Sequence, residues 1–348
     1  MIKVLVVDDS AVVRKILSEE LAKSSFIEVV GTASDPYVAR DKIVQLEPDV
    51  ITLDIEMPRM DGLSFLEKLM RHFPLPVVIV SSLTPQNSDM AIRALELGAV
   101  ELICKPGSTY STPGMHQLIQ AIRSAAVANV KRIEADRMDA KQAPRQPGIR
   151  LQTTDKIIAI GASTGGTHAI EKILTRLPAT TPGTLIVQHM PEGFTAAFAK
   201  RLDQICAMQV HEAKDGDDVV PGTALVAPGG SHMLLERNCS RYNVRLKDGP
   251  PVHHQKPSVD VLFHSVARNA GRHATGVILT GMGSDGAKGM KAMRDTGSYT
   301  LAQDEKSCIV FGMPKQAIQT GGVLEVASID NMAERIVSSL QQKVKGVA

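Results

Sequence analysis

Four short apolar runs in the first third of the chain each stop at a residue able to do chemistry. Lys3-Val4-Leu5-Val6-Val7 stops at the acidic pair Asp8-Asp9, and Val50-Ile51-Thr52-Leu53 stops at Asp54. Val77-Val78-Ile79-Val80 stops at Ser81-Ser82, and Leu102-Ile103-Cys104 at Lys105-Pro106. The runs are short and do not alternate, as expected of strands covered on both faces. Helical stretches are predicted between and after them at 11–23, 37–47, 62–72, 88–97 and 116–130. Alternating strands and helices predict a parallel sheet, whose strand ends share one edge where ligands gather. Three carboxylates, a hydroxyl and an ammonium on that edge make a site for a divalent cation and a phosphate. Asp8-Asp9 taken alone reads better as a helix start before Ala11; the four strand ends together weigh against that.

Beyond residue 130 the sequence turns charged, and from 138 to 155 it is polar and carries Pro144 and Pro147. That composition predicts a linker without a core and divides the chain into 1–125, a linker at 126–155, and a second domain at 156–348. In the second domain the α/β pattern restarts. Strands are predicted at 157–160, 185–187 and 275–279, and helices at 167–176, 194–202, 259–269, 287–294 and 332–342. Turn signals at Asp215-Gly216, Pro221-Gly222 and Gly229-Gly230 make 209–247 read as hairpin-rich. The expected whole is a five-stranded flavodoxin-like domain followed by a three-layer α/β domain.

Three polar groups follow strands of the second domain. Ser163 lies in Gly161-Ala162-Ser163-Thr164-Gly165-Gly166, His189 in Gln188-His189-Met190-Pro191, and Asp285 in Gly281-Met282-Gly283-Ser284-Asp285-Gly286. A parallel sheet would bring all three to one edge. Ser, His and Asp are the parts of an activated nucleophile. Gly161-x-Ser163-x-Gly165 has nucleophile-elbow spacing, but the order Ser, His, Asp is not that of α/β-hydrolases. A phosphate cradle at a helix start is the alternative, although the Lys of a Walker loop and the GxGxxG spacing are missing. Singly, Ser163 reads equally well as a helix cap, His189 reads better as a structural histidine than as a catalytic one, and Asp285 could simply cap the helix after it.

Composition narrows the class. With 348 residues, 43% hydrophobic and 22% charged, the chain has enough for two globular cores. Its four cysteines form no CxxC pair, which argues against a zinc site or a disulfide framework and for a reducing compartment. No signal peptide is expected, and no apolar run approaches the ~20 residues of a membrane span; the expected location is cytoplasmic, without membrane insertion. Net charge is −5 over 1–106, +3 over 107–155 and +4 over 156–348. This asymmetry reads either as attraction between the halves or as ordinary solubility. The rear half has neither a helix-turn-helix pattern nor a concentrated basic face, so nucleic acid is not an expected partner.

The strand-end set of residues 1–125 resembles the receiver domain of two-component response regulators. That resemblance implies that Asp54 accepts a phosphoryl group from a histidine kinase, and that Asp8, Asp9 and Asp54 hold Mg²⁺. It also implies that Ser81 bonds a phosphoryl oxygen and Lys105 pairs with it. Receivers often carry an aromatic residue three positions before the lysine; here it is Leu102, so an aromatic switch is not implied. The segments 161–166, 188–191, 253–263 and 281–289, in that order behind a receiver, resemble the chemotaxis protein-glutamate methylesterases over essentially the whole chain. On that resemblance Ser163 is the nucleophile, His189 the base and Asp285 the orienting acid. The implied reaction is hydrolysis of glutamyl methyl esters on methyl-accepting chemotaxis receptors, with receptor glutamine deamidation. It is activated by phosphorylation and needs no cofactor for the hydrolysis. Backbone N–H groups at Thr164 and the Met282 turn are the oxyanion candidates, with a core role as the alternative for Met282. His253, His254 and Lys256 read as substrate-facing or as a solvated loop. A receptor adaptor that keeps the fold without catalysis is the rival reading.

Overall fold

The computed structural model describes residues 1–57, 61–82, 84–105, 112–130 and 155–341. These fall into two compact units. The first runs β1 (Ile2–Val7), α1 (Ala11–Leu21), β2 (Ile27–Ala33), α2 (Pro36–Leu46), β3 (Val50–Leu53), α3 (Gly62–His72), β4 (Val77–Ser81), α4 (Pro85–Glu96), β5 (Glu101–Cys104) and α5 (Thr112–Ala126). Its five strands pair in parallel in the order β2-β1-β3-β4-β5. Every residue of β3 and β4 is buried. Since successive side chains point to opposite faces, both faces are covered. Helix starts are fixed by short polar side chains: Ser10, Asp35, Asp61 and Thr84 each accept a backbone N–H of the turn that follows. β2 was not among the predicted apolar runs, because it is an edge strand with Glu28 exposed and Gly31-Thr32 interrupting the apolar stretch. Most of the expected linker, 131–154, lies outside the described residues.

The second unit runs β6 (Ile157–Ala162), α6 (Gly166–Leu174), β7 (Gly183–Gln188), α7 (Phe194–Ile205), β8 (Gln209–Glu212), β9 (Thr223–Val226), β10 (His232–Asn238), β11 (Arg241–Lys247), α8 (Val259–Asn269), β12 (Ala274–Ile278), α9 (Ala287–Asp295), β13 (Tyr299–Gln303), α10 (Met313–Gln319), β14 (Glu325–Ala327) and α11 (Ile329–Gln341). Seven strands form a parallel sheet in the order β14-β13-β12-β6-β7-β9-β8. From the central strand β6 the chain moves to β7 on one side and later returns to β12 on the other. That reversal places the switch point of the sheet at β6.

The stretch 209–247, expected to be hairpin-rich, holds a single hairpin. Gly216, Gly222 and Gly230 do turn, with φ of 90°, 85° and 81°. However, the first two lie between β8 and β9, which are parallel neighbours, and the third lies between β9 and β10. The one hairpin of this stretch is β10–β11, closed at Cys239 with φ 55° rather than at a glycine. Turn residues mark where the chain bends; they do not say which strand it joins next. β13, β14 and α10 are also not predicted: Thr300-Leu301-Ala302-Gln303 is buried in the sheet but reads as half polar.

Candidate active site

Three neighbouring strands, β12, β6 and β7, point their carboxyl ends at one place. Ala162 and Gln188 are register partners, so Ser163 and His189 are the next residues out of adjacent strands. The backbone fixes both: Ser163 N–H donates to Thr280 C=O at 3.0 Å, and His189 N–H to Ala162 C=O at 3.1 Å. The loop leaving β12 brings in Asp285. His189 Nε2 lies 2.8 Å from Asp285 Oδ2, with both side chains buried. An ionised carboxylate only accepts, so Nε2 carries the proton. The other ring nitrogen, Nδ1, is buried without a hydrogen-bond partner among the described residues. It is the nitrogen left to take a proton, the reverse of the ring usage in the chymotrypsin arrangement.

Asp285 is held by more than the histidine. Its Oδ1 accepts from Ser258 Oγ at 2.8 Å and Asp260 N–H at 3.0 Å, and its Oδ2 from Val259 N–H at 2.8 Å. These are the first groups of α8, so the carboxylate sits on a helix amino terminus, where negative charge is favoured. Burial pushes its pKa up, but His189 and the α8 N–H groups outweigh that and hold it below the usual carboxylate range. The stability it brings is therefore present above the ordinary carboxylate pKa and is lost only as pH falls through the lowered folded value. The sequence reading of Asp285 as a cap for the helix after it is corrected: the helix it caps is α8, and Gly286 stands at the N-cap of α9 without a side-chain bond. Ser258 escaped the sequence reading of the site, although its place before 259–269 marks it as a helix cap.

The family model for CheB methylesterase matches residues 158–336, and the model for a response regulator receiver domain matches 4–119. Protein-glutamate methylesterase/protein-glutamine glutaminase 2 of Syntrophus aciditrophicus is 58% identical over 343 residues, 97% of this chain and 98% of the relative. The chain belongs to the CheB methylesterase family. The protein-glutamate methylesterase/protein-glutamine glutaminase of Syntrophotalea carbinolica is 54% identical over 98% of each chain. Among solved structures, the CheB methylesterase catalytic domain of Thermotoga maritima superposes with a TM-score of 0.52 at 36% identity, covering 53% of this chain and 99% of that one.

The oxyanion candidates differ in setting. Thr164 is buried, its carbonyl accepting from Thr280 Oγ1 at 3.0 Å. Met282 is half-buried on its turn rather than filling the core. Gly281 N–H already donates to Val310 C=O at 3.0 Å, which commits that part of the turn elsewhere. A Cβ on Gly281 would lie 2.4 Å from Met313 Sδ and 2.7 Å from Ser163 Cβ. Gly281→Ala is therefore expected to displace Ser163, costing about 1–3 kcal/mol of stability and about 10²-fold in turnover, as misplaced reacting groups do. Steady-state kinetics beside thermal unfolding checks both.

His253 and His254 are exposed, as a solvated loop requires, and the loop carries ion pairs. His253 Nε2 lies 3.1 Å from Asp260 Oδ2, and Lys256 pairs with Asp248. Ligand atoms of His253, Asp260 and Asp285 all lie within 4.8 Å of one another. The two carboxylates are nevertheless occupied by N–H and O–H donors, including Gly289 N–H on Asp260 Oδ1 at 2.7 Å. Donors aimed inward oppose a cation, so the cluster is a hydrogen-bonded one.

In the receiver unit, Val7 and Leu53 are register partners, which sets Asp8 and Asp54 side by side at the ends of β1 and β3. Both are buried and Asp9 is exposed. Lys105 Nζ bridges Asp8 Oδ2 and Asp54 Oδ2 at 2.8 Å each. Burial, with Asp8 adding to it, raises the Asp54 pKa despite the lysine. Burial works against the Lys105 ammonium, yet its bonds to the two carboxylates raise its pKa. Oxygens of Asp8, Asp9 and Asp54 lie within 4.8 Å of one another. Three carboxylates beside one ammonium, which pairs with two of them, leave a surplus of negative charge on hard oxygen donors, a set that fits Mg²⁺. Ser81 is buried at the end of β4, its carbonyl accepting Lys105 N–H at 2.7 Å. Gly62 is required here: a Cβ would meet Asp54 C=O at 2.4 Å. Leu102 is buried in β5.

Proposed function

We propose that Ser163, His189 and Asp285 carry out the hydrolysis and that Asp54 switches it. As a member of its family the chain is a phosphorylation-regulated protein-glutamate methylesterase of chemotaxis, with protein-glutamine glutaminase activity. The observation that carries the assignment of residues is the His189–Asp285 bond beside Ser163, on three adjacent strand ends.

Ser163 Oγ attacks the side-chain carbonyl of a glutamyl methyl ester and gives its proton to His189 Nδ1. Asp285 holds the ring and stabilises the imidazolium. The tetrahedral oxyanion is met by backbone N–H groups, with Thr164 and Met282 as the candidates. The imidazolium returns the proton to the leaving methoxide, methanol departs, and a glutamyl–serine ester remains. Water, deprotonated by His189, attacks that ester and releases glutamate and free Ser163. With a glutamine substrate the same steps release ammonia.

In the receiver, Asp54 is the phosphoryl acceptor, with a histidine kinase as donor. Asp8, Asp9 and Asp54 are the residues that would hold Mg²⁺, which when bound offsets charge on the phosphoryl oxygens. Ser81 and Lys105 read the phosphorylated state. Residues 1–125 form the receiver, 126–155 the linker and 156–348 the catalytic domain, a division supported by the matched ranges 4–119 and 158–336. The protein partners are chemoreceptors as substrate and the kinase as phosphodonor. The location is cytoplasmic; among the described residues no helix is long and apolar enough to cross a membrane.

The test incubates the full chain with Mg²⁺ and a small phosphodonor and follows methanol release from methylated receptor membranes. Turnover should rise with phosphorylation of Asp54. Lys105→Ala should still take the phosphoryl group but fail to raise turnover, since its ammonium is the group that senses the product. A Lys105→Ala chain activated like the wild type would remove Lys105 from the switch.

A further inference from the structure

We infer that Gln188 is a positioning residue that aims the peptide group following Ser163, and with it the Thr164 N–H, at the oxyanion. The inference rests on the reading of Ser163 as nucleophile. Gln188 ends β7 and is 4% exposed. Its Nε2 donates to Ser163 C=O at 3.0 Å and to His189 C=O at 3.1 Å. Both amide protons are thus committed to the carbonyls that follow two adjacent strands, so the side chain ties the serine backbone to the histidine backbone. The opposite amide orientation would set an oxygen against two carbonyl oxygens, which excludes it.

The two bonds made by Nε2 favour an amide at this position, but they leave its other end uncompensated. Gln188 Oε1 is buried without a hydrogen-bond partner among the described residues, a penalty that an apolar side chain of the same length would not carry. The start of α6 is also shaped around that oxygen, since a Cβ on Gly166 would lie 2.1 Å from it.

What the amide does fix is a direction. Ser163 C=O accepts from Gln188 Nε2 and from Gly166 N–H at 2.6 Å. The peptide unit is planar and trans, so its N–H points opposite to its C=O. Holding the Ser163 carbonyl toward Gln188 therefore directs the Thr164 N–H to the other side. The N–H of the residue after a serine nucleophile is a recurrent oxyanion donor. The hydrogen bonds that Gln188 makes go to main-chain carbonyls, so its loss should act on stabilisation of the tetrahedral state more than on binding of the ester.

The experiment compares full-length wild type, Gln188→Met and Gln188→Glu in methanol release, and in inhibition by a trifluoromethyl ketone analogue of the glutamyl ester, which forms a tetrahedral adduct. Gln188→Met is expected to lower kcat about 10²-fold, the effect of losing one oxyanion donor, with KM within about twofold and the ketone weakened by the same factor as kcat. Gln188→Glu keeps the size but has at most one donor, and carries the same comparison if the methionine variant does not fold. A kcat within about threefold of wild type, or ketone binding that does not weaken as kcat falls, would overturn the inference. Ser163→Ala in the same assay separates the two readings. Turnover surviving there overturns the nucleophile assignment and this inference with it; turnover lost there but intact in Gln188→Met overturns this inference alone.

Discussion

Ser163→Ala is expected to lower methanol release by about 10⁶-fold, the scale seen when a serine nucleophile is removed, while the chain melts where the wild type does. The hydroxyl supports none of the backbone bonds at this position. Ser163 N–H goes to Thr280, and its carbonyl receives Gly166 N–H and Gln188 Nε2. Deleting one oxygen at a strand exit opens no core cavity of consequence. His189→Ala should fail to a comparable degree. Asp285→Asn should retain more activity than either, with a loss of about 10⁴-fold, because the acid acts through the base and forms no bond to substrate. Asp285→Ala should in addition destabilise, since Ser258 Oγ and the N–H groups of Val259 and Asp260 lose their acceptor, at roughly 1–3 kcal/mol for each group left buried and unpaired. Near-wild-type turnover in purified Ser163→Ala would refute the assignment.

Asp54→Asn should abolish phosphoryl uptake and the activation that follows, leaving basal turnover, and should make the receiver more stable at neutral pH. The folded-state pKa of Asp54 is raised, mainly by burial, with Asp8 adding to it. For a raised pKa, the associated stability is fully present below the unfolded value and is lost as pH rises through the folded one. The ionised carboxylate is thus a burden at pH 7 that an amide does not carry. Thermal unfolding without Mg²⁺ should show the variant melting higher at pH 7, with the gap closing toward about pH 4, where the ordinary carboxyl begins to protonate. Adding Mg²⁺ should stabilise the wild type more than the variant, because binding to the native state raises stability and an amide oxygen offers the cation no negative charge. An Asn variant less stable than wild type at pH 7 would mean that the Lys105 bridge outweighs burial.

The parts of the fold legible in the sequence were those where burial leaves a continuous apolar run. β1, β3, β4, β6 and β7 are covered on both faces, and their side chains say so. β2 and β13 escaped because position in the sheet, not composition, decides their burial: Thr300 is fully buried and Glu28 is exposed. The candidate site was legible where chemistry stands at the end of such a run, as with Asp54, Ser163 and His189. Ser258 and Gln188 were not, because their roles depend on which strands become neighbours. β6 lies beside β12, more than a hundred residues away along the chain. No local pattern announces that pairing, nor that Asp285 would serve a helix that begins at Val259.

That sharing has a consequence for how this enzyme can be observed. The oxygen of Asp285 that faces His189 also accepts the Val259 amide, and its other oxygen accepts the Asp260 amide. Whatever changes the charge on the imidazole is transmitted to two main-chain protons on a separate element. Chemical shifts and exchange rates of those amides should therefore move with the protonation of His189 and with acylation of Ser163. Two ¹⁵N-labelled backbone positions outside the reacting groups would serve as an internal probe of where the enzyme stands in its catalytic cycle.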